Sequence, residues 1–246
     1  MDGAGLAQGD RLNAKQIQHE FRKLQNAEDA RHLARFFKTG PGDYGEGDIF
    51  LGIRVPAIRR FMKKYAGEIR FSSIVPLLRS KYHEERLLGL LLMVDKFETG
   101  DDSCREDIYR TYLTHTEYIN NWDLVDLSAP KIVGVRLEKR GRAILYDLAE
   151  SDLLWDRRIA VVSTFHFIRR NDFSDTLKIA GKLIYDEHDL IHKAAGWMLR
   201  EVGKRDMNAE ETFLRKFYCD MPRTMLRYAI ERFPEDLRQR YLKGLV

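Results

Sequence analysis

The sequence predicts an all-α fold in which two-helix repeats stack into a solenoid, and three observations predict it. Apolar residues recur at spacings of three and four through almost every segment after residue 14, and strict alternation is nearly absent. Four segments resemble one another: "HEERLLGLLLMVDKF", "LWDRRIAVVSTFHFIRRND", "IHKAAGWMLREVGKRD" and "PRTMLRYAIERFPED" each set a basic residue before an apolar stripe and end in charge. Registered on Arg158, Lys193 and Arg227, the last three repeat at 35 and 34 residues, within the range of two-helix repeats. Each repeat buries its stripe against the next, so the stack leaves a concave face open to a long ligand.

The elements follow in order. Residues 1–246 read as one repeat domain, with residues 1–13 as a flexible tail, and a 44% hydrophobic content is enough for a sizeable core. A helix is expected from Ala14 to Phe37 with a break near Asn26, and "KTGPGDYGEGD" then interrupts the pattern as a loop. Gly40, Gly42 and Gly45 formally match G-x-G-x-x-G, but no strand precedes them and no βαβ unit surrounds them, so the reading is a turn. Pro56 in "FLGIRVPAIRRFMKKY" suits a helix start, and Arg54, Arg59, Arg60, Lys63 and Lys64 make that helix cationic, as a solvated face or as a phosphate contact.

Composition narrows the function classes. The longest apolar run, "LLGLLLMV", is far short of the roughly 20 residues of a membrane span, and the N-terminus lacks the apolar core of a signal peptide. A cytoplasmic location, on the nucleoid in a bacterium, is the expectation, with no membrane contact. Cys104 and Cys219 have no metal-ligand spacing and are expected to be reduced and structural; no metal or cofactor is expected. The net charge is +4, and residues 193–246 hold twelve Lys or Arg against eight Asp or Glu. "KIVGVRLEKRGR" adds five basic residues to one acidic directly after "NNWDLVD". A basic surface beside an acidic spot fits nucleic acid better than a membrane.

The three tryptophans, Trp122, Trp155 and Trp197, stand in corresponding regions of different repeats. Large aromatics at helical spacing are usually core. Here, however, Trp122 precedes Asp126 by one helical turn, Trp155 precedes Arg158 by three residues, and Trp197 precedes Arg200 by three. Aromatic faces beside ionic groups can stack on a sugar or a cationic base.

"FLGIRVPAIRR", "NNWDLVD", "WDRRIA" and "HKAAGWMLREVGK", in that order, resemble the AlkD-type DNA alkylation repair glycosylases, a family of HEAT-like repeat proteins, from about residue 15 to residue 235. The resemblance implies a HEAT-like solenoid with a concave, basic DNA-binding face, acting as a monomer on double-stranded DNA that contains alkylated purines. By motif it places the excision site on Asp126, Arg158, Trp122 and Trp197. Arg54, Arg59, Arg60, Arg200 and Lys204 are then the candidate DNA contacts. The implied reaction removes cationic N3- or N7-alkylated purines, with Asp126 stabilising an oxocarbenium-like sugar and positioning water. Two features depart from the family pattern. The glycine-rich loop is longer than the corresponding turn in the best-known members, and Phe36 stands where a tyrosine is often found, so a hydroxyl is missing there or is supplied by Tyr44.

Two other readings stay open at this level. A relative on the same scaffold can bind DNA without excising anything, and a HEAT-type adaptor can bind peptide. A carboxylate aimed at a polyanion is of no use to a pure backbone binder, which favours the enzyme.

Overall fold

The computed structural model describes residues 12–246. It is all-helical, and among the described residues the only β-type pairings are two isolated bridges, Leu12 with Ile69 and Ile49 with Tyr82. The chain forms two compact units, divided between Leu124 and Val125.

The first unit starts with two short helices rather than one long one. Asn13 caps α1 (Ala14–Arg22) in a reciprocal box with Gln16 at 2.9 and 3.1 Å, and Asn26 caps α2 (Ala27–Phe36) by accepting from the Glu28 and Asp29 amides. The expected break near Asn26 is therefore a helix start built by an asparagine side chain. Of the expected tail, residues 1–11 lie outside the described residues. Leu12 and Asn13 do not belong to a flexible tail, since the Leu12 amide donates to the Glu68 carbonyl at 2.9 Å and Asn13 is the cap.

The glycine-rich segment is a loop, closed by Gly52 at φ 79°. A Cβ at Gly52 would stand 2.0 Å from the Asn26 carbonyl oxygen, so no other residue fits where the loop returns to the start of α2. Next come α3 (Val55–Tyr65), with Pro56 in its first turn, and α4 (Ile74–Leu78). The helix α5 (His83–Thr99) is apolar on every side from Leu87 to Val94 and runs through the core, packed by α3, α4 and α6 (Asp102–Leu113). In sequence α7 (Trp122–Ala129) follows, and the division between the units falls within it.

In the second unit a π-helical stretch, Pro130–Gly134, follows α7 at a proline that has no amide to donate. Then come α8 (Ala143–Ala149), α9 (Leu154–Ser163), the single turn α10 (Phe165–Ile168), α11 (Ser174–Lys182), α12 (Asp189–Gly203), α13 (Met207–Phe217), α14 (Arg223–Ala229) and α15 (Glu235–Lys243). The repeat of 34 to 35 residues is visible here as α9, α12 and α14 stacked in order with α12 in the middle. Gly196 lets α12 and α14 approach closely: a Cβ there would meet the Met225 carbonyl oxygen at 2.4 Å.

Candidate active site

In the first unit, α7 opens on Trp122, and its neighbours fix that residue from several directions. The side chain of Asn121 accepts from the Trp122 amide at 2.8 Å. The indole stacks on Phe37 with centroids 5.4 Å apart and meets the edge of Phe36 at 6.1 Å, while its Nε1–H donates to the Tyr44 hydroxyl at 3.3 Å. The glycine-rich loop therefore supplies a hydroxyl to Trp122 through Tyr44, and Phe36, 57% exposed, supplies only a ring contact.

Beneath this aromatic layer lies a buried ionic cluster. Phe37 and Phe50 lie on the His83 ring at 4.9 and 4.7 Å. The two ring nitrogens of His83 face carboxylates, Nδ1 to Asp48 at 3.2 Å and Nε2 to Asp123 at 2.9 Å. A carboxylate can only accept, so both nitrogens carry protons and the ring is an imidazolium. Burial alone would lower its pKa, but the charge of Asp123 and the hydrogen bonds to Asp123 and Asp48 outweigh it and hold His83 at about 9. Arg86 and Asn121 donate to Asp48 as well, and they and His83 keep it below the ordinary carboxylate range although burial pushes the other way. Glu84, also buried, accepts from the Leu51, Gly52 and Ile53 amides at 2.8 to 3.1 Å and so ties down the end of the loop. The sequence signal for this cluster was the run "HEER", four ionisable residues at the start of an otherwise apolar helix.

In the second unit the structure brings Asp126 and Arg158 together. The guanidinium grips the carboxylate in a two-pronged fork, Nε to Oδ1 at 2.9 Å and Nη2 to Oδ2 at 2.8 Å, and its remaining arm donates to the Leu190 carbonyl at 2.6 Å. Arg158 is buried, at 6% side-chain exposure, whereas Asp126 is 21% exposed. The guanidinium end of the pair is thus sealed in protein, and the carboxylate end is the more exposed of the two. The Leu190 contact links the pair to the first turn of α12, the helix that carries Trp197. Trp197 is half-buried; its Nε1–H donates to Glu201 at 3.1 Å and its ring lies 5.8 Å from Phe165.

Of the sequence-chosen phosphate contacts, three are already engaged with carboxylates. Arg200 is bonded to Glu231 and stands 3.6 Å from Glu201, Lys204 pairs with Glu201 at 2.6 Å, and Arg54 makes a two-pronged pair with Asp29 at 2.9 and 2.6 Å. Arg59 and Arg60 are exposed on α3 and make no ion pair among the described residues.

The profile of the DNA alkylation repair enzyme family matches residues 17–233, a span that takes in Trp122, Asp126, Arg158 and Trp197. The chain belongs to that family. Its fold agrees: a solved structure described as a predicted DNA alkylation repair enzyme from Enterococcus faecalis superposes with a TM-score of 0.68, over 86% of this chain and 97% of that one, at 16% identity. No curated protein matches the sequence. Family membership supports a role for this chain in the repair of alkylated DNA, as an enzyme that binds DNA. Among the described residues no group of His, Cys, Asp and Glu is arranged to hold a metal ion, and no helix is long and apolar enough to cross a membrane.

Proposed function

We propose that this member of the family is a DNA N-glycosylase that excises cationic N3- and N7-alkylated purines, such as 3-methyladenine and 7-methylguanine, from duplex DNA. The observation that carries the reading is the Asp126–Arg158 pair, a partly exposed carboxylate gripped in a two-pronged fork by a buried guanidinium. A purine alkylated at N3 or N7 already carries positive charge, so its bond to C1′ breaks without a general acid. The bonding pair leaves with the base, which becomes neutral, and positive charge develops on the sugar. Asp126 faces that charge as a preorganised anion, an arrangement whose loss elsewhere costs about 2.7–4 kcal/mol of barrier. A water oriented by the same carboxylate adds its oxygen to C1′ and releases its proton to solvent by way of Asp126.

Arg158 acts through Asp126 as a positioning residue, since all three of its donating arms are engaged within the protein. Trp122 and Trp197 are assigned to the lesion's sugar, where an indole face near the developing positive charge is worth about 0.5–2 kcal/mol. The reading needs no cofactor and no protein partner. Its test is single-turnover release of 7-methylguanine and 3-methyladenine from methylated duplex, with Asp126→Asn alongside. Release by the native protein that drops by about a hundredfold or more in the variant supports it. Native protein that binds duplex but releases no base makes the chain a DNA-structure binder on the same scaffold.

A further inference from the structure

In the first unit the edge contact of Phe21 with Phe61, centroids 5.1 Å apart, joins α1 to α3 and leaves a recess of about 340 Å³ beside it. That volume is at the lower end of the range for small-molecule sites, about 300–1,000 Å³. The rings of Phe61 and Tyr65, 4.6 Å apart, form its aromatic side, and Leu24, 43% exposed, forms an aliphatic one. Arg60, Lys64 and Lys23 contribute cations, with the Lys64 ammonium 4.7 Å from the centre of the Tyr65 ring. The one carboxylate in the lining, Glu20, is bonded to Lys23 at 2.6 Å.

Some cations elsewhere are paired with carboxylates, as Arg22 is with Glu85, Arg157 with Asp186, Arg170 with Glu138 and Lys182 with Glu150. On α3, Arg59, Arg60, Lys63 and Lys64 make no salt bridge among the described residues, and the helix contains no acidic residue. Arg60 and Lys64 sit one turn apart at the recess, and Arg59 and Lys63 form a second such pair on the adjoining face. A row of cations without salt bridges suits a polyanion, and an aromatic recess within that row suits a flat apolar group attached to it. Bases in a duplex are stacked and paired, so they have no face to offer such a recess. Unpaired bases do, and a basic track with aromatic platforms is the general arrangement by which proteins hold single strands.

We propose that the recess between α1 and α3 binds one unpaired nucleotide of a single nucleic-acid strand, its base against Tyr65 and Phe61, its phosphate on Arg60 and Lys64, and the strand continuing along Arg59 and Lys63. This site lies outside the excision machinery, and it does not depend on the glycosylase reading.

The test measures anisotropy of a fluorescein-labelled deoxythymidine oligomer of about ten residues on the native protein, with undamaged strand so that excision plays no part. Arg60→Glu and Tyr65→Leu are each expected to weaken binding by about tenfold, the size of one charge-assisted contact or one stacked base. Lys182→Glu, an exposed charge reversal of equal size in the second unit, is expected to change it less than twofold. Competition on the native protein identifies the ligand chemistry even if Tyr65→Leu melts early. Thymidine monophosphate is expected to displace the oligomer, and inorganic phosphate at the same concentration is not. Displacement by the mononucleotide as tightly as by an unlabelled strand would assign the site to free nucleotides and overturn the strand assignment. Equal displacement by phosphate, or native-like binding in folded Tyr65→Leu, would reduce the recess to a bare anion patch and overturn the proposal.

Discussion

Asp123 and Asp126 stand three residues apart in "WDLVD", yet each is held by a different kind of cation. Asp123 accepts from His83 in the first unit, and Asp126 accepts from Arg158 in the second. Both cations are buried, and in both cases the carboxylate is the more exposed partner. The difference lies in what the cation can do. A guanidinium offers a planar fork, so Asp126 is held by two parallel hydrogen bonds. An imidazolium can release its proton, so the Asp123 pair depends on pH. A carboxylate proposed for charge stabilisation is thus gripped at both oxygens. The one beside it belongs to a buried cluster that fixes Trp122 and the glycine-rich loop.

The comparison is broken most directly at the two aspartates. Asp126→Asn is expected to lower the single-turnover excision rate by about a hundredfold or more, while affinity for undamaged duplex stays equal or rises slightly as like-charge repulsion is relieved. It also leaves Arg158 buried against a neutral amide, so the melting temperature should fall; native-rate excision would end the assignment of chemistry to this carboxylate. Trp197→Ala comes next. Its ring is half-buried, so excision should drop by about tenfold with a stability loss below the roughly 3–5 kcal/mol of a fully buried tryptophan. Calorimetry showing the full loss together with normal excision would return Trp197 to the core. Asp123→Asn should cost less than about tenfold in rate but a clear loss of stability, because it removes one of the two negative charges that face a buried imidazolium.

The pH dependence of stability sharpens the same contrast. Below about pH 6.5 His83 is protonated both folded and unfolded, and its ion pairs contribute fully. As pH rises from there through about 9 the unfolded chain releases the proton first, so stability falls and the contribution is lost. The second unit has its own source in Glu210, which burial raises to about 9, against the pull of Arg200. It stays protonated when folded and ionises on unfolding above about 4.5, so stability falls with rising pH there as well. Melting temperatures in His83→Gln should lose the slope between pH 6.5 and 9 that is due to the histidine, and Glu210→Gln should lose the broader one. An unchanged slope in both variants would show that neither group is the source.

The smallest effect is expected where charge is already compensated. Lys204→Glu should weaken duplex binding only slightly, because Lys204 and Arg200 share Glu201 and Glu231, whereas Arg59→Glu should weaken it more. The salt dependence of log K should likewise lose about 0.9 in slope for each phosphate contact removed from α3 and almost none for Lys204. Titrations across salt on the two variants test this ranking, and equal losses would refute it.

Much of the architecture was legible because it is local or periodic. Asn13, Asn26 and Pro56 each start a helix within a turn of their own position, the glycines of "KTGPGDYGEGD" break one, and the 34- to 35-residue spacing became the stack of α9, α12 and α14. Placing Trp122 and Asp126 one turn apart needed only the helical repeat of 3.6 residues. The basic count near the C-terminus was legible too, but a count does not register that Glu231 lies against Arg200 across 31 residues of chain. Nothing in "HEER" says that His83 lies between carboxylates from positions 48 and 123, or that Arg158 reaches both Asp126 and the Leu190 carbonyl. The sequence by itself determined the helices, their caps and their repeat, since those depend on neighbours within one turn or on a regular stripe of apolar residues. Which cation meets which carboxylate was decided only by the tertiary structure, because an ion pair forms over a few ångströms between residues that packing, not sequence spacing, brings together.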